Sequence, residues 1–142
     1  MAKFNFYLNF KENTEEAFNF YKSVFGGEFE TLQRFGDTPH AGDVPAEHHD
    51  KIMHVSLPLP GGGVLMGTDD LGVMGRPFIL GNNISLSIGA DSEAEADQLF
   101  GGLSEGATIT MPLQKTFWGA YFGMLTDRFG IQWMVNYDYP QA

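Results

Sequence analysis

Residues 115–136, KTFWGAYFGMLTDRFGIQWMVN, decide how the chain is read. Two apolar runs, 120–126 and 131–137, flank Asp127-Arg128-Phe129-Gly130. A short link with glycine near its end is what reverses an antiparallel pair, so the spacing predicts a hairpin. Strand side chains alternate: Ala120, Phe122, Met124 and Thr126 share one face, and Tyr121, Gly123 and Leu125 the other. In the second run Ile131, Trp133, Val135 and Tyr137 oppose Gln132, Met134 and Asn136. Both faces are largely apolar, which suits a sheet that curves around something or packs in a dimer better than one with a wet side.

Working outward, the rest of the chain reads as scaffold. Residues 3–10 alternate, with Phe4, Phe6, Leu8 and Phe10 on one face and Asn5, Tyr7 and Asn9 on the other, as in a half-buried strand. Asn13 or Thr14 is placed to cap a helix with acids in its first turn and Ala17, Phe20, Tyr21 and Val24 at helical spacing. Gly26-Gly27 ends it, and residues 28–35 follow as a strand. Residues 36–51, GDTPHAGDVPAEHHDK, lack apolar periodicity and read as a long, solvated, mobile loop carrying His40, His48 and His49, with adventitious metal binding by the last two as a minor reading. Residues 52–59 and 64–68 form a second hairpin around Pro60-Gly61-Gly62-Gly63, with Pro58 marking a free edge. After a loop at 69–81 come a strand at 83–88, a helix capped by Asp91 or Ser92 and closed at Gly101-Gly102, a strand at 107–111, and the opening hairpin. The order is βαβββ twice, an α+β fold with modules at about 1–70 and 82–139 of a single domain. Glycine pairs at matching helix ends support duplication.

Phe117-Trp118-Gly119, Phe122-Gly123, Thr126-Asp127-Arg128-Phe129-Gly130 and Trp133-Met134-Val135-Asn136 resemble the C-terminal signature of PhnB-like proteins. Glu15, Glu16, Ala17, Phe20, Tyr21, Phe25, Gly26, Gly27 and Glu28 are similar to that family near its N-terminus. It belongs to the glyoxalase, bleomycin-resistance and dioxygenase group, the vicinal oxygen chelate superfamily. The resemblance implies curved mixed sheets of two βαβββ modules around a concave pocket, commonly completed in a homodimer. It also implies a divalent metal held by His, Glu or Gln on the first and fourth strands of each module. Carried over residue by residue, those strands offer Asn5, Tyr7 and Asn9, then Asp69, then Asn83, Ser85 and Ser87, then Gln132, Asn136 or Tyr137. Only Asp69 is a usual ligand type, and a transition metal wants several such donors converging. No metal or cofactor is therefore expected, with a divalent metal kept as the alternative.

Composition narrows the function classes. The 142 residues fit one domain with a real core, and Lys+Arg 8 against Asp+Glu 18 gives a net charge of -10. That charge disfavours nucleic acid and anionic membrane as partners. The sequence shows neither a transmembrane run nor a signal peptide, so a cytoplasmic location is expected. With no cysteine, thiol and disulfide chemistry are excluded.

The residues assigned to chemistry are His54 and Asp69, as a general base or ligand-orienting pair. Phe117, Trp118, Tyr121, Phe122 and Trp133 are read as candidates for an aromatic wall, with Trp118 the preferred pocket member, joined by Asn136 and Tyr7 for ligand contact. The structural alternatives are a His54 satisfied by a backbone carbonyl or by Asp69, and aromatics that are plain core. Trp133, central in its strand, is read as packing, and Asp127 as stabilising its turn. Arg76 and Lys115 are the cations nearest the expected pocket mouth, where lone cations are usually just solvated. No phosphate loop, dinucleotide fingerprint or nucleophile elbow is present. No glycine-rich loop for S-adenosylmethionine follows the first strand, which speaks against the methyltransferase label some PhnB-like proteins carry. The reading is a small-molecule-binding protein or an enzyme of unassigned reaction. A metal-dependent lyase, isomerase or dioxygenase and a drug-sequestering resistance protein stand as alternatives.

Overall fold

The structure, a computed structural model, describes residues 1–39, 41–72 and 75–141. His40 of the long loop and Val73 and Met74 of the 69–81 loop lie outside the described residues. The chain divides into two compact units, Met1–Ile79 and Leu80–Ala142.

In the first unit β1 (Phe6–Phe10), α1 (Thr14–Phe25), β2 (Thr31–Arg34), β3 (Ile52–Pro58) and β4 (Val64–Asp69) build a sheet in the order β1-β4-β3-β2. β1 runs parallel to β4 and the other pairs are antiparallel. The second unit repeats this with β5 (Leu86–Gly89), α2 (Glu93–Leu103), β6 (Thr108–Lys115), β7 (Ala120–Thr126) and β8 (Gln132–Asp138), in the order β5-β8-β7-β6 with β5 parallel to β8. The fold is α+β, two βαβββ modules of identical topology.

Each helix covers one face of its own sheet and sinks a phenyl ring onto a strand glycine. In the first unit Val55 on β3 is opposite Gly67 on β4, and a Cβ on Gly67 would lie 2.5 Å from Cε1 of Phe18. In the second, Gly123 on β7 is opposite Val135 on β8, and its Cβ would lie 2.7 Å from Cε2 of Phe100. The glycine and valine have exchanged strands between the modules, yet the helix keeps its slot. Around Phe18 the rings of Phe10 and Tyr21 pack edge-on at 6.2 and 5.6 Å, all three fully buried. Burying each such side chain is worth roughly 1.5–3 kcal/mol, and this cluster is the hydrophobic centre of its unit.

Several elements depart from their sequence-based bounds. β1 begins at Phe6, leaving Phe4 exposed, and β2 is confined to four residues. β5 starts at Leu86, where pairing with Trp133 of β8 begins, rather than at residue 83. β6 extends to Lys115 through two register shifts, so Pro112 does not end it. α2 does not close at Gly101-Gly102 but runs on to Leu103. Two helical glycines cost about 1 kcal/mol each, which the complete burial of Leu103 and near-complete burial of Phe100 offset.

The loop at 36–51 is organised rather than open. Three 3₁₀ turns, Phe35–Asp37, Ala41–Asp43 and Ala46–His48, run through it. Its base is closed by Phe35 N–H donating to Lys51 O at 3.0 Å and Gly36 N–H to His49 O at 2.9 Å. His49 Nε2 lies 2.9 Å from both Ala41 O and Val44 O, a strut inside the loop. Arg34 bonds both carboxylate oxygens of Glu15 on α1 and also Asp50 O. The hydrogen bonds from Arg34 hold the Glu15 carboxyl below its ordinary range. Among the described residues, no helix is long and apolar enough to cross a membrane.

Candidate functional site

Strand alternation sorts the candidate residues by face. Gly67 receives Phe18 of α1, so its neighbours Met66 and Thr68 turn away from the helix. With them, in register across the sheet, stand Tyr7 and Asn9 on β1, His54 and Ser56 on β3, and Gln33 on β2. The Tyr7 hydroxyl lies 3.3 Å from His54 Nδ1, with ring centroids 5.7 Å apart. As donor, Tyr7 selects the His54 tautomer that carries its proton on Nε2. His54 thus meets Tyr7, not Asp69 and not a backbone carbonyl, and the pair lies on an exposed face.

Asp69 is on the opposite face. It shares its alternation with Leu65 and Gly67, is only 4% exposed, and accepts Thr14 N–H at 3.0 Å on Oδ1 and Ile52 N–H at 2.7 Å on Oδ2. Thr14 opens α1, whose flanking Asn13 makes no side-chain cap, so a carboxylate from β4 does the capping from a distance. The structure does not bring His54 and Asp69 together. Ser56, 6% exposed, and Gln33, which pairs with His54, share the His54 face and escaped sequence reading, because only the β2–β3 register reveals them.

In the second unit Gly123 receives Phe100 of α2, so Phe122 and Met124 turn away from that helix. Asn136 is directly opposite Phe122, and Met134 opposite Met124. The Asn136 amide donates to Asp138 at 3.1 Å. In the β6–β7 turn, Phe117 and Trp118 pack edge to face at 4.9 Å, and Trp118 reaches to 6.1 Å from the Phe122 ring. Gly119, at φ 89°, permits the tight reversal that presents them. Phe117 is 97% and Trp118 54% exposed, so these two rings are not core. Trp133 is core: at 3% exposure its indole donates to Asp127 Oδ2 at 2.8 Å. The other Asp127 oxygen accepts from Phe129 and Ile131 in the turn.

The helix side of this sheet holds two tyrosines against α2. Tyr121 donates to Asp97 at 2.7 Å, a bond that foremost pushes its phenol up to about 12. Tyr139 is raised by burial first and then by its bond to Glu93. Both fasten helix to sheet.

On the faces turned from the helices, the first and fourth strands of the modules present Tyr7, Asn9, Met66, Thr68, Ser87, Gln132, Met134 and Asn136. None is a histidine or carboxylate, and Gln132 already donates to Ile84 O at 2.7 Å. Within neither module do these donors fit a divalent metal of the superfamily's kind. Among the described residues no three His, Asp or Glu side chains gather into a metal-holding group.

Paired βαβββ modules of this strand order define the glyoxalase/bleomycin-resistance/dioxygenase class of fold. A domain of that class from Frankia shares it at 18% identity and TM-score 0.66, over 97% of this chain and 98% of that one. Residues 2–136 match the family model described as 3-demethylubiquinone-9 3-methyltransferase, and the chain belongs to that PhnB-like family. Protein PA1353 of Pseudomonas aeruginosa is similar at 42% identity and TM-score 0.85, covering 99% of this chain and 100% of that one. A PhnB protein of Bacillus cereus matches at 27% and TM-score 0.77, over 96% and 99%. Protein YjdN of Escherichia coli K12 is 28% identical over 138 residues, 92% of this chain and 91% of that protein.

Proposed function

We propose that the second unit binds a small, planar, largely apolar molecule on the face of its sheet turned away from α2, without a glyoxalase-type metal. One observation carries this reading: Phe117 and Trp118 are held exposed beside Phe122, with the Asn136 amide across from that ring. Leaving large aromatic surface in water is unfavourable, whereas stacking it on a flat ligand beside one polar group is how apolar sites gain affinity and orientation. The first unit's sheet has a polar pair of its own, Tyr7 and His54, on the face turned from α1. His54, with Tyr7 on Nδ1, presents Nε2 to a ligand as an orienting donor, or as a general base in the other tautomer. Asp69 is a structural carboxylate in this reading. The connections into both helices, Lys11-Glu12-Asn13 and Ala90-Asp91-Ser92, lack the glycines that let a phosphate- or nucleoside-bearing cofactor approach a helix start, so methyl transfer is not the reading favoured. Exposed Phe4, Ile79, Leu80 and Ile84 support a homodimer that covers them.

The two tryptophans give a direct test. Trp118 is exposed and Trp133 is buried, so titration with a panel of planar aromatic compounds should quench emission saturably through Trp118 alone. Trp118→Phe should abolish the signal, and Asn136→Ala should weaken binding. Quenching that persists in Trp118→Phe, or no saturable quenching from any compound, would refute the aromatic wall. Stoichiometric zinc, nickel or iron(II) in native mass spectra after incubation would refute the metal-free reading.

A further inference from the structure

We infer that the face of the first unit's sheet turned from α1 takes an uncharged carbonyl compound, an amide, lactam or ketone, whose oxygen is held by His54 Nε2–H. This rests on the orienting role given to His54 above and not on the aromatic wall. The Tyr7 hydroxyl has one acceptor within reach, His54 Nδ1 at 3.3 Å. A phenol donates better than it accepts, so the proton of the neutral imidazole sits on Nε2. That nitrogen meets no protein acceptor among the described residues. A ring fixed in this way offers one outward N–H, which is a seat for an oxygen lone pair.

The neighbours of His54 in the sheet carry polar groups with nothing in the protein to bond. Gln33 on β2 is directly opposite, so the two Cβ atoms are roughly 5 Å apart. Ser56 follows two residues along β3, roughly 7 Å away on the same face. Neither the Gln33 amide nor the Ser56 hydroxyl bonds to a described residue, although Ser56 is only 6% exposed. A polar side chain buried that far is normally satisfied within the protein, so its free hydroxyl beside His54 marks a place for a ligand's polar group. Charge selects the class of ligand. Among the strand residues of this unit the only Asp, Glu, Lys or Arg are Arg34 and Asp69, and both serve the helix side. Arg34 bonds Glu15 of α1, and Asp69 accepts from Thr14 and Ile52. An ion held on the other face would shed water and find no opposite charge, whereas a neutral carbonyl exchanges one hydrogen bond for another. Tyr7, 49% exposed and tilted 31° to the His54 ring, has Met66 beside it on β4, and together they give the ligand's body a flat, adaptable support.

The test is amide NMR of the full chain at constant ionic strength with probes of one shape, benzamide and acetophenone without charge against benzoate and benzylammonium with it. The neutral pair should give saturable shifts at Tyr7, Gln33, His54 and Ser56, and each ion should bind about tenfold more weakly or worse. His54→Phe keeps a ring but loses the donor, and should weaken benzamide about tenfold, the scale of one hydrogen bond. The same spectra report whether the variant is folded. Equal or tighter binding of either ion, no saturable shift from the neutral pair, or unchanged affinity in folded His54→Phe would overturn the inference. Imidazole nitrogen-15 shifts of the free protein should show Nε2 protonated. A proton on Nδ1 instead would defeat the orienting role itself, whereas a protonated Nε2 without benzamide binding would defeat the carbonyl class alone. Trp118→Phe should leave the benzamide shifts in the first unit intact, so the aromatic wall stands or falls separately.

Discussion

Asp69→Ala tests the central structural assignment. The carboxylate is 4% exposed and satisfies two backbone amides from different elements, Thr14 at the start of α1 and Ile52 at the start of β3. Deleting it orphans both. A buried donor left without an acceptor costs roughly 1–3 kcal/mol, so about 2–6 kcal/mol is at stake, less whatever is regained by no longer burying a carboxylate. About 3–4 kcal/mol is expected, a large share of the roughly 5–15 kcal/mol that holds a domain folded. At about 3 °C per kcal/mol for a chain of this size, the melting point should fall by about 10 °C. Asp69→Asn keeps one oxygen but turns an NH₂ toward the other amide, donor against donor, and should cost less than alanine but still about 1–3 kcal/mol. Urea unfolding followed by the emission of buried Trp133 and by helix circular dichroism measures both. Hydrogen exchange at the Thr14 and Ile52 amides should accelerate in step. Alanine within about 0.5 kcal/mol of the parent, with both amides still protected, would refute the capping role and return Asp69 to the chemical candidates.

Two further predictions rest on packing and on ionisation. The folded state favours the neutral Tyr121 phenol, raised to about 12, so its contribution is whole below the ordinary tyrosine value near 10 and is lost as pH climbs toward 12. Ultraviolet difference titration of Tyr121→Phe against the parent should show that late tyrosinate. Asp97→Asn should bring it down, and a Tyr121 signal already complete near pH 10 would contradict the bond to Asp97. Gly67→Ala and Gly123→Ala each drive a methyl into a helix phenyl ring and should destabilise by about 1–3 kcal/mol in denaturant unfolding. Phe18→Leu should rescue the first more fully than Phe100→Leu rescues the second, because the Gly123 methyl also meets Leu113 backbone at 3.0 Å, whereas the backbone nearest the Gly67 methyl, Leu8 O, is 3.3 Å away. Equal rescue would show that the backbone, not the ring, yields there.

Local pattern carried the fold as far as local forces set it. β7 matches its alternating run to the residue, because a period of two bounded by Gly119 and the Asp127 turn leaves no other register. α1 ends where Gly26 adopts φ 80° and bonds back to Lys22 O. The errors lie where a partner decides. Asn83-Ile84-Ser85 alternates as well as any strand, but β8 offers pairing only from Leu86. Gly101-Gly102 reads as a helix end, but Leu103 has a buried place one residue further on.

The candidate site separates along the same line. The PhnB-like residues marked the aromatic turn, and exposure then distinguishes Phe117 and Trp118 from Trp133, a difference in neighbours that composition does not contain. Asp69 was legible in principle. It alternates with Leu65 and Gly67, both on the core side, so its carboxylate had to enter the interior and find amides, whereas His54 alternates with Ser56 on the face turned from the helix. A carboxylate in phase with core residues is a brace before it is a ligand, since burial without hydrogen bonds would neutralise or expel it.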